Sequence, residues 1–319
     1  MTEQPHPGRP SYVGSKTFMD APETAPGDLD DDVDVAVVGV PFDGAVSRQP
    51  GTRYGPEALR RASGWYARDE AAYNAATDRV VDFDAAAVRD CGDVAVRTTD
   101  VEATGDAIRE TVASVAETAF PVVLGGDHYL TYPSASGVAD AVGDRVGVVH
   151  LDAHSDVYGE RDIYGDHWHG SPMNLLDEAG TGGYENHAMV GLRGYEDPDF
   201  REFVDDSGLF VAAMPDVERA GFRDCVERAV DHAADGVDHV YLTVDIDVVD
   251  PGFAPGTGTP EAGGVTGGQL LGAMDYLGGR SEISAVDLVE VAPRLDPTRA
   301  THRLGACALS RFVESRFLS

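Results

Sequence analysis

The chain has 319 residues, 56 acidic and 24 basic, for a formal charge of −32. Aspartate supplies 38 of the acids and Lys16 is the only lysine, which excludes nucleic-acid phosphate as a general partner and argues against an anionic membrane face. The three cysteines, Cys91, Cys225 and Cys307, form no Cys-x-x-Cys pair, which argues against a disulfide framework or a thiolate zinc site.

Residues 1–32 lack sustained periodicity and read as a loose arm docked near Tyr12–Phe18. The apolar run Val33–Val40 predicts a buried strand, followed by a glycine-rich loop at 50–56. Pro56 suits the first turn of a helix through Arg61. Residues 64–100 read as irregular, with short strands at Arg79–Phe83 and Asp93–Val96. Asp100–Ala119 reads as a helix, with Ile108, Val112 and Val115 on one face. A strand at Pro121–Leu124, a helix at Tyr132–Val142 and a strand at Val146–Leu151 follow. A long loop then runs from Ala153 to Ser171, before a short helix at Pro172–Ala179. The remaining expectations are a strand at Ala188–Leu192, a helix at Phe222–Ala234, a strand at Val240–Val244 and a Gly/Pro loop at 250–268. Last come a helix at Leu270–Leu277, a strand at Ile283–Val291 and a helix at Leu304–Phe317.

Strands alternating with helices predict parallel β-α-β units with right-handed crossovers. Near-continuous Val, Ile and Leu in the strands implies a sheet covered on both faces. The expectation is one α/β domain over residues 33–319, with three layers (α/β/α) and a mainly parallel sheet. The apolar runs are too short to span a bilayer, and the N-terminal segment has no signal-peptide core. These features predict a soluble cytoplasmic protein. The near-absence of lysine beside abundant acids resembles proteins of salt-in halophiles, which predicts a fold that needs molar salt.

Three motifs lie directly after apolar runs: Gly-Gly-Asp-His (125–128), Asp-Ala-His-Ser-Asp (152–156) and Asp-Ile-Asp (245–247). With so much aspartate, any one of them means little. Their conjunction means more, because parallel strands bring their C-terminal ends to one rim. Carboxylates and imidazoles converging there make a site for two divalent cations, which can activate water for hydrolysis. Oxygen and nitrogen donors without thiolate favour Mn²⁺ over softer metals.

These motifs, in this order, resemble the ureohydrolase (arginase/agmatinase) family. The resemblance runs from about Val33 to the C-terminus. It includes VGVPFDGAVSRQPGTRYGPEALR (38–60), Asp90-Cys91-Gly92-Asp93, His169-Gly170-Ser171-Pro172, VDIDVVDPGFAPGTGTPEAGG (244–264) and DLVEVAP (287–293). It implies an arginase-like fold, two Mn²⁺ per subunit and a homo-oligomer, trimeric or hexameric. It implies that His128, Asp152, Asp156 and Asp245 hold one ion, and that Asp152, His154, Asp245 and Asp247 hold the other. Asp156 would also hydrogen-bond the attacking water-derived group, and Glu290 would pair with the substrate guanidinium. His169 would pass a proton to the leaving amine, giving urea and a primary amine. His167 competes with His169 for that role, but Gly-Ser-Pro follows His169 as in the family pattern. His150 reads as a packed strand residue. A metal-binding paralogue without activity would lack at least one ligand, whereas all six are present with His169 and Glu290.

The loop 157–168 carries Tyr158, Glu160, Asp162, Tyr164 and Asp166 in place of the polar Asn/Thr/Ser pattern of arginases. An aromatic and acidic loop suits a small cationic guanidino substrate, so the leading expectation is agmatine, cleaved to putrescine and urea. A guanidino acid, as for guanidinobutyrase or guanidinopropionase, is the alternative, because Arg161 could meet a carboxylate. Formiminoglutamase and arginase activities rank lower. Arg53 and Arg193 read as partners of acidic neighbours rather than substrate ligands.

Overall fold

Eight parallel strands form the central sheet of the computed structural model, which describes residues 16–67 and 71–318. In chain order the elements are β1 (Val35–Gly39), α1 (Gly55–Ser63), β2 (Ala72–Asn74), β3 (Arg79–Val81), β4 (Val88–Asp93), α2 (Val101–Ala116) and β5 (Phe120–Leu124). Then come α3 (Thr131–Val142), β6 (Gly147–Leu151), α4 (Pro172–Glu178), β7 (His187–Val190), α5 (Phe200–Ser207), β8 (Phe210–Ala212) and α6 (Met214–Ala220). The chain finishes with α7 (Phe222–Ala233), β9 (Val240–Asp245), α8 (Gly267–Gly278), β10 (Ile283–Val289) and α9 (Ala300–Phe317). The strand order is β4-β1-β5-β10-β9-β6-β7-β8.

Alternation along each strand builds two cores. Val35 and Val37 of β1 join Leu59, Val226, Leu270 and Leu309 on the side of α1, α7, α8 and α9. Ala36 and Val38 join Ile108, Val138 and Met173 on the side of α2, α3 and α4. The sheet is therefore covered on both faces, giving the three-layer α/β/α arrangement that the sequence implied. Local signals support the helices. Asp100 accepts from the Ala103 N–H at the start of α2, and Thr266 with Gln269 forms a capping box on α8.

Several expectations need correction. The strand near Asp93 lies earlier, at Val88–Asp93, and pairs with β1 at the edge of the sheet. Its polar sequence hid it, because a strand at the sheet edge needs no long apolar run. Buried Asp90 and half-exposed Asp93 hold Arg60 of α1 at 2.8 and 2.5 Å, which gives the Asp-Cys-Gly-Asp stretch a structural use. The strand at Arg79 pairs with β2 in a separate antiparallel hairpin. The elements α5, β8 and α6 occupy a stretch where the sequence suggested none. Of the expected arm, Tyr12 lies outside the described residues, while Phe18 is buried and its N–H donates to Asp90 at 2.7 Å. The neighbouring segment bonds β4 through Thr24 and Pro22, so residues 16–32 are docked rather than loose.

Register is what positions the site. Leu124, Leu288, Val244 and Leu151 lie level across the four adjacent strands β5, β10, β9 and β6. The chain therefore leaves the middle of the sheet at one height on all four.

Candidate metal centre and active site

Each motif starts where its strand ends. After β5 the chain turns at Gly125-Gly126 beneath the end of β1. A Cβ on Gly126 would sit 1.8 Å from the Phe42 carbonyl oxygen, so only glycine lets the chain pass. That passage delivers His128, whose ring is buried. Asp152 follows β6, Asp245 ends β9, and Asp247 follows one short turn later.

The side chains converge. His128 Nδ1 lies 3.0 Å from Asp152, 2.9 Å from Asp156 and 3.3 Å from Asp245. His154 Nδ1 lies 3.1 Å from Asp247 and 3.5 Å from Asp152. Asp152 thus touches both groups. Two sets of donor atoms could each hold a metal ion: His128, His150, Asp152 and Asp156, and Asp152, His154 and Asp247. His150, read from sequence as a packed residue, donates its Nε2–H to Asp152 Oδ2 over 2.7 Å. It also stacks on His187.

The electrostatics ask for a cation. Asp152, Asp156, Asp245 and Asp247 are all buried, and no Arg or Lys among the described residues pairs with any of them. Burial, with Asp247 and Asp152 close by, pushes the Asp245 carboxyl well above its usual range. Burial and Asp152 raise Asp247 as well. Burial also opposes ionisation of Asp152, but His150, His128 and His154 outweigh it and hold that carboxyl well below its usual range. Desolvation works against charge on His128, yet its three carboxylate neighbours raise its pKa well above the ordinary value. Histidine protons are the positive charge nearest these acids, and a divalent cation would displace them. His128 Nδ1 is buried without a hydrogen-bond partner while three carboxylate oxygens surround it, which fits a donor set for a cation. The nitrogen behind it, Nε2, meets the Thr243 hydroxyl at 3.0 Å, so the ring is held from its far side.

His169 and Glu290 form a second unit. His169 Nδ1 donates to Glu290 Oε1 at 2.9 Å. Its Nε2 accepts from the Ser47 N–H at 3.0 Å and meets the Ser47 hydroxyl at 2.7 Å. Desolvation lowers the His169 pKa, but Glu290 outweighs it and the net shift is upward. Glu290 sits just past β10 at positive φ, not within the strand. Its Oε1 also accepts the His128 N–H at 3.0 Å, and its Oε2 is buried without a partner. His167 turns elsewhere and stacks on Tyr129.

A cavity of about 210 Å³ opens beside the cluster. His154, Asp156, Asp245 and His169 line it, joined by Ser47, Arg48, Thr259 and Glu261. Tyr158, Trp168 and Tyr195 supply aromatic surface. Glu290 is not on the cavity wall; it stands against His169. The sequence reading placed the tail-facing acids in the loop 157–168, but Glu160, Asp162 and Asp166 do not line the cavity. That loop folds on itself, with Trp168 stacked on Tyr158 and Tyr164. Arg161 pairs with Asp197 at 2.7 Å and covers the Tyr158 ring. Arg53 pairs with buried Asp43. Arg193 does not pair with acids: it donates to backbone carbonyls, including those of Asp247 and Glu261 at 2.6 and 2.8 Å. Arg48 and Glu261 went unassigned in the sequence, although both lie in glycine-rich loops that follow site-bearing strands.

The profile described as the Arginase family matches residues 33–313. The chain belongs to the arginase family. Agmatinase, mitochondrial, from Gallus gallus is 37% identical over 280 residues, covering 86% of this chain and 78% of that protein. Formimidoylglutamase of Halobacterium salinarum is 36% identical over 300 residues, covering 92% and 90%. The solved proclavaminate amidino hydrolase from Streptomyces clavuligerus is 30% identical, with a TM-score of 0.83 over 97% of this chain and 99% of its own. This arginase-family member is thus a hydrolase of guanidino compounds, acting on a C–N bond of an amidine group. Among the described residues, no helix is long and apolar enough to cross a membrane.

Proposed function

We propose that this chain is a two-manganese hydrolase that cleaves agmatine to putrescine and urea. The observation that carries the reading is the cavity beside the carboxylate–histidine cluster, walled by aromatic rings and bearing the carboxylate of Glu261. A guanidinium fits beside buried carboxylates, and a tail ammonium fits beside Glu261. His128, Asp152, Asp156 and Asp245 would hold one cation, and Asp152, His154, Asp245 and Asp247 the other. When bound, such a pair supplies the acidity that makes water nucleophilic near neutral pH.

The protein groups supply the rest. Asp156 lines the cavity and accepts hydrogen bonds at the site of attack. Glu290 fixes His169 with its Nδ1–H directed away from the cavity, so that Nε2 faces Ser47 and the substrate. The raised pKa of His169 favours the doubly protonated ring, whose Nε2–H would donate to the Ser47 hydroxyl and pass its proton to the leaving amine. Glu290 then acts as a positioning residue, in place of the direct guanidinium partner that the sequence suggested.

A second reading, hydrolysis of a guanidino acid, is favoured by one observation: the cationic Arg48 lines the same cavity. We further propose a cytoplasmic homo-oligomer, trimeric or hexameric. The exposed rings of Trp65 and Tyr73 near the β2–β3 hairpin are surface that a subunit contact would cover. The deciding experiment supplies Mn²⁺ and measures turnover of agmatine, arginine, 4-guanidinobutyrate, 3-guanidinopropionate and formiminoglutamate. Urea and putrescine from agmatine are the expected result. Agmatine at background while a guanidino acid turns over would overturn the agmatine assignment.

A further inference from the structure

The tail side of the cavity carries two opposite charges on facing loops. Arg48 lies in the loop after β1, and Glu261 in the loop after β9. The loops touch: a Cβ on Gly258 would sit 2.6 Å from the Gln49 carbonyl oxygen. Yet no ion pair joins Arg48 to Glu261, or to any other carboxylate among the described residues. The arginines nearby are committed, Arg53 to Asp43, Arg161 to Asp197 and Arg193 to backbone carbonyls.

Both loops are held in place. On one side of Arg48, Ala45 N–H donates to Asp127 at 2.9 Å and Ser47 bonds His169. On the other, Gly51 N–H donates to Asp43 at 2.8 Å. Glu261 is fixed through its own carbonyl by Arg193, while its carboxylate lies 3.9 Å from His154 Nε2. Arg48 is therefore carried at the cavity wall by an anchored backbone.

We propose that Arg48 and Glu261 set the tail-charge selection of this cavity in opposite senses. Arg48 receives a carboxylate tail and opposes an ammonium, and Glu261 does the reverse. The inference rests on the guanidino-hydrolase reading and deepens it: two side chains decide between amine-tailed and acid-tailed substrates.

The test uses the full-length Mn²⁺-loaded protein with agmatine and 4-guanidinobutyrate, which share a four-carbon chain and differ in tail charge. The quantity read is the ratio of their kcat/KM values. Arg48→Met keeps the apolar stem and should raise the agmatine-to-guanidinobutyrate ratio by about 10-fold or more. Glu261→Gln should lower it by a similar factor, and Arg48→Lys should stay near wild type. The changes should fall mainly on KM, since neither side chain is given a part in proton transfer or in holding a cation. Urea release with both ratios within threefold of wild type overturns this inference alone. No turnover of either substrate by the wild-type protein overturns the agmatine and guanidinobutyrate readings, and this inference with them.

Discussion

Thr243→Val asks whether the threonine behind His128 aims that ring at the metal site. Thr243 is fully buried on β9, and the His128 Nε2–H donates to its hydroxyl over 3.0 Å. The Thr243 hydroxyl reaches that of Thr131 at 3.2 Å. Thr131 in turn donates to Asp287 at 2.7 Å, and the Tyr241 hydroxyl donates to the same oxygen at 2.9 Å. Valine keeps the shape and removes the acceptor, leaving a buried N–H unsatisfied at a cost of about 1–3 kcal/mol. Where the ring turns to recover a partner, Nδ1 loses its aim. Partners behind a metal ligand typically contribute about 10–100-fold in affinity, or roughly 1.4–2.7 kcal/mol. The assay is calorimetric titration of metal-stripped protein with Mn²⁺, together with a thermal melt. Mn²⁺ binding should weaken by about 10-fold or more, with a Tm lower by a few degrees. An Mn²⁺ affinity within threefold of wild type would refute the argument that Thr243 orients a ligand.

Two further outcomes concern stability. Burial opposes ionisation of Asp296, but hydrogen bonds from Thr298 and Thr301 at the start of α9 outweigh it and hold its carboxyl at about 2, against an ordinary 3.8. Because the folded pKa is depressed, this contribution is complete above about pH 4 and is lost as pH falls towards 2. Asp296→Asn should therefore cost about 2 kcal/mol at neutral pH and flatten the acid limb of the stability profile; urea unfolding at pH 7, 4 and 2.5 checks it, and parallel wild-type and variant profiles would count against it. The charge of −32 should repel itself less as screening shortens from about 10 Å at 0.1 M salt to about 3 Å at 1 M. The Tm should rise by roughly 10 °C between 0.1 M and 2 M KCl, and an unchanged melt would remove the salt requirement.

The sheet and the cluster were readable because apolar runs stop abruptly at charged motifs. In a parallel sheet, that boundary marks the rim. What sequence could not supply is the set of residues that reach the cavity through tertiary folding. The loop 157–168 resembles a tail site by composition, but stacking on Trp168 and the Arg161–Asp197 pair direct much of it elsewhere. Glu261 is held at the cavity by Arg193, 68 residues earlier in the chain, and local pattern carries no trace of such a clamp. The three-residue strand β8 lies at the sheet edge and pairs with β7. Its existence depends on that partner rather than on its own propensity.

Backbone conformation adds an argument about which acids serve chemistry. Asp156 has φ of 51° and Glu290 has φ of 60°, a left-handed region that costs a non-glycine residue about 1 kcal/mol or more. Glycine would relieve that strain at either position. Asp156 is nevertheless a carboxylate 2.9 Å from His128, and Glu290 a carboxylate 2.9 Å from His169. Acids outside the core share that backbone, exposed Asp78 at φ 55° among them, so what sets Asp156 and Glu290 apart is their burial. Strand register thus brings the motifs to one height, and the loop residues Asp156 and Glu290 add their buried carboxylates beside His128 and His169.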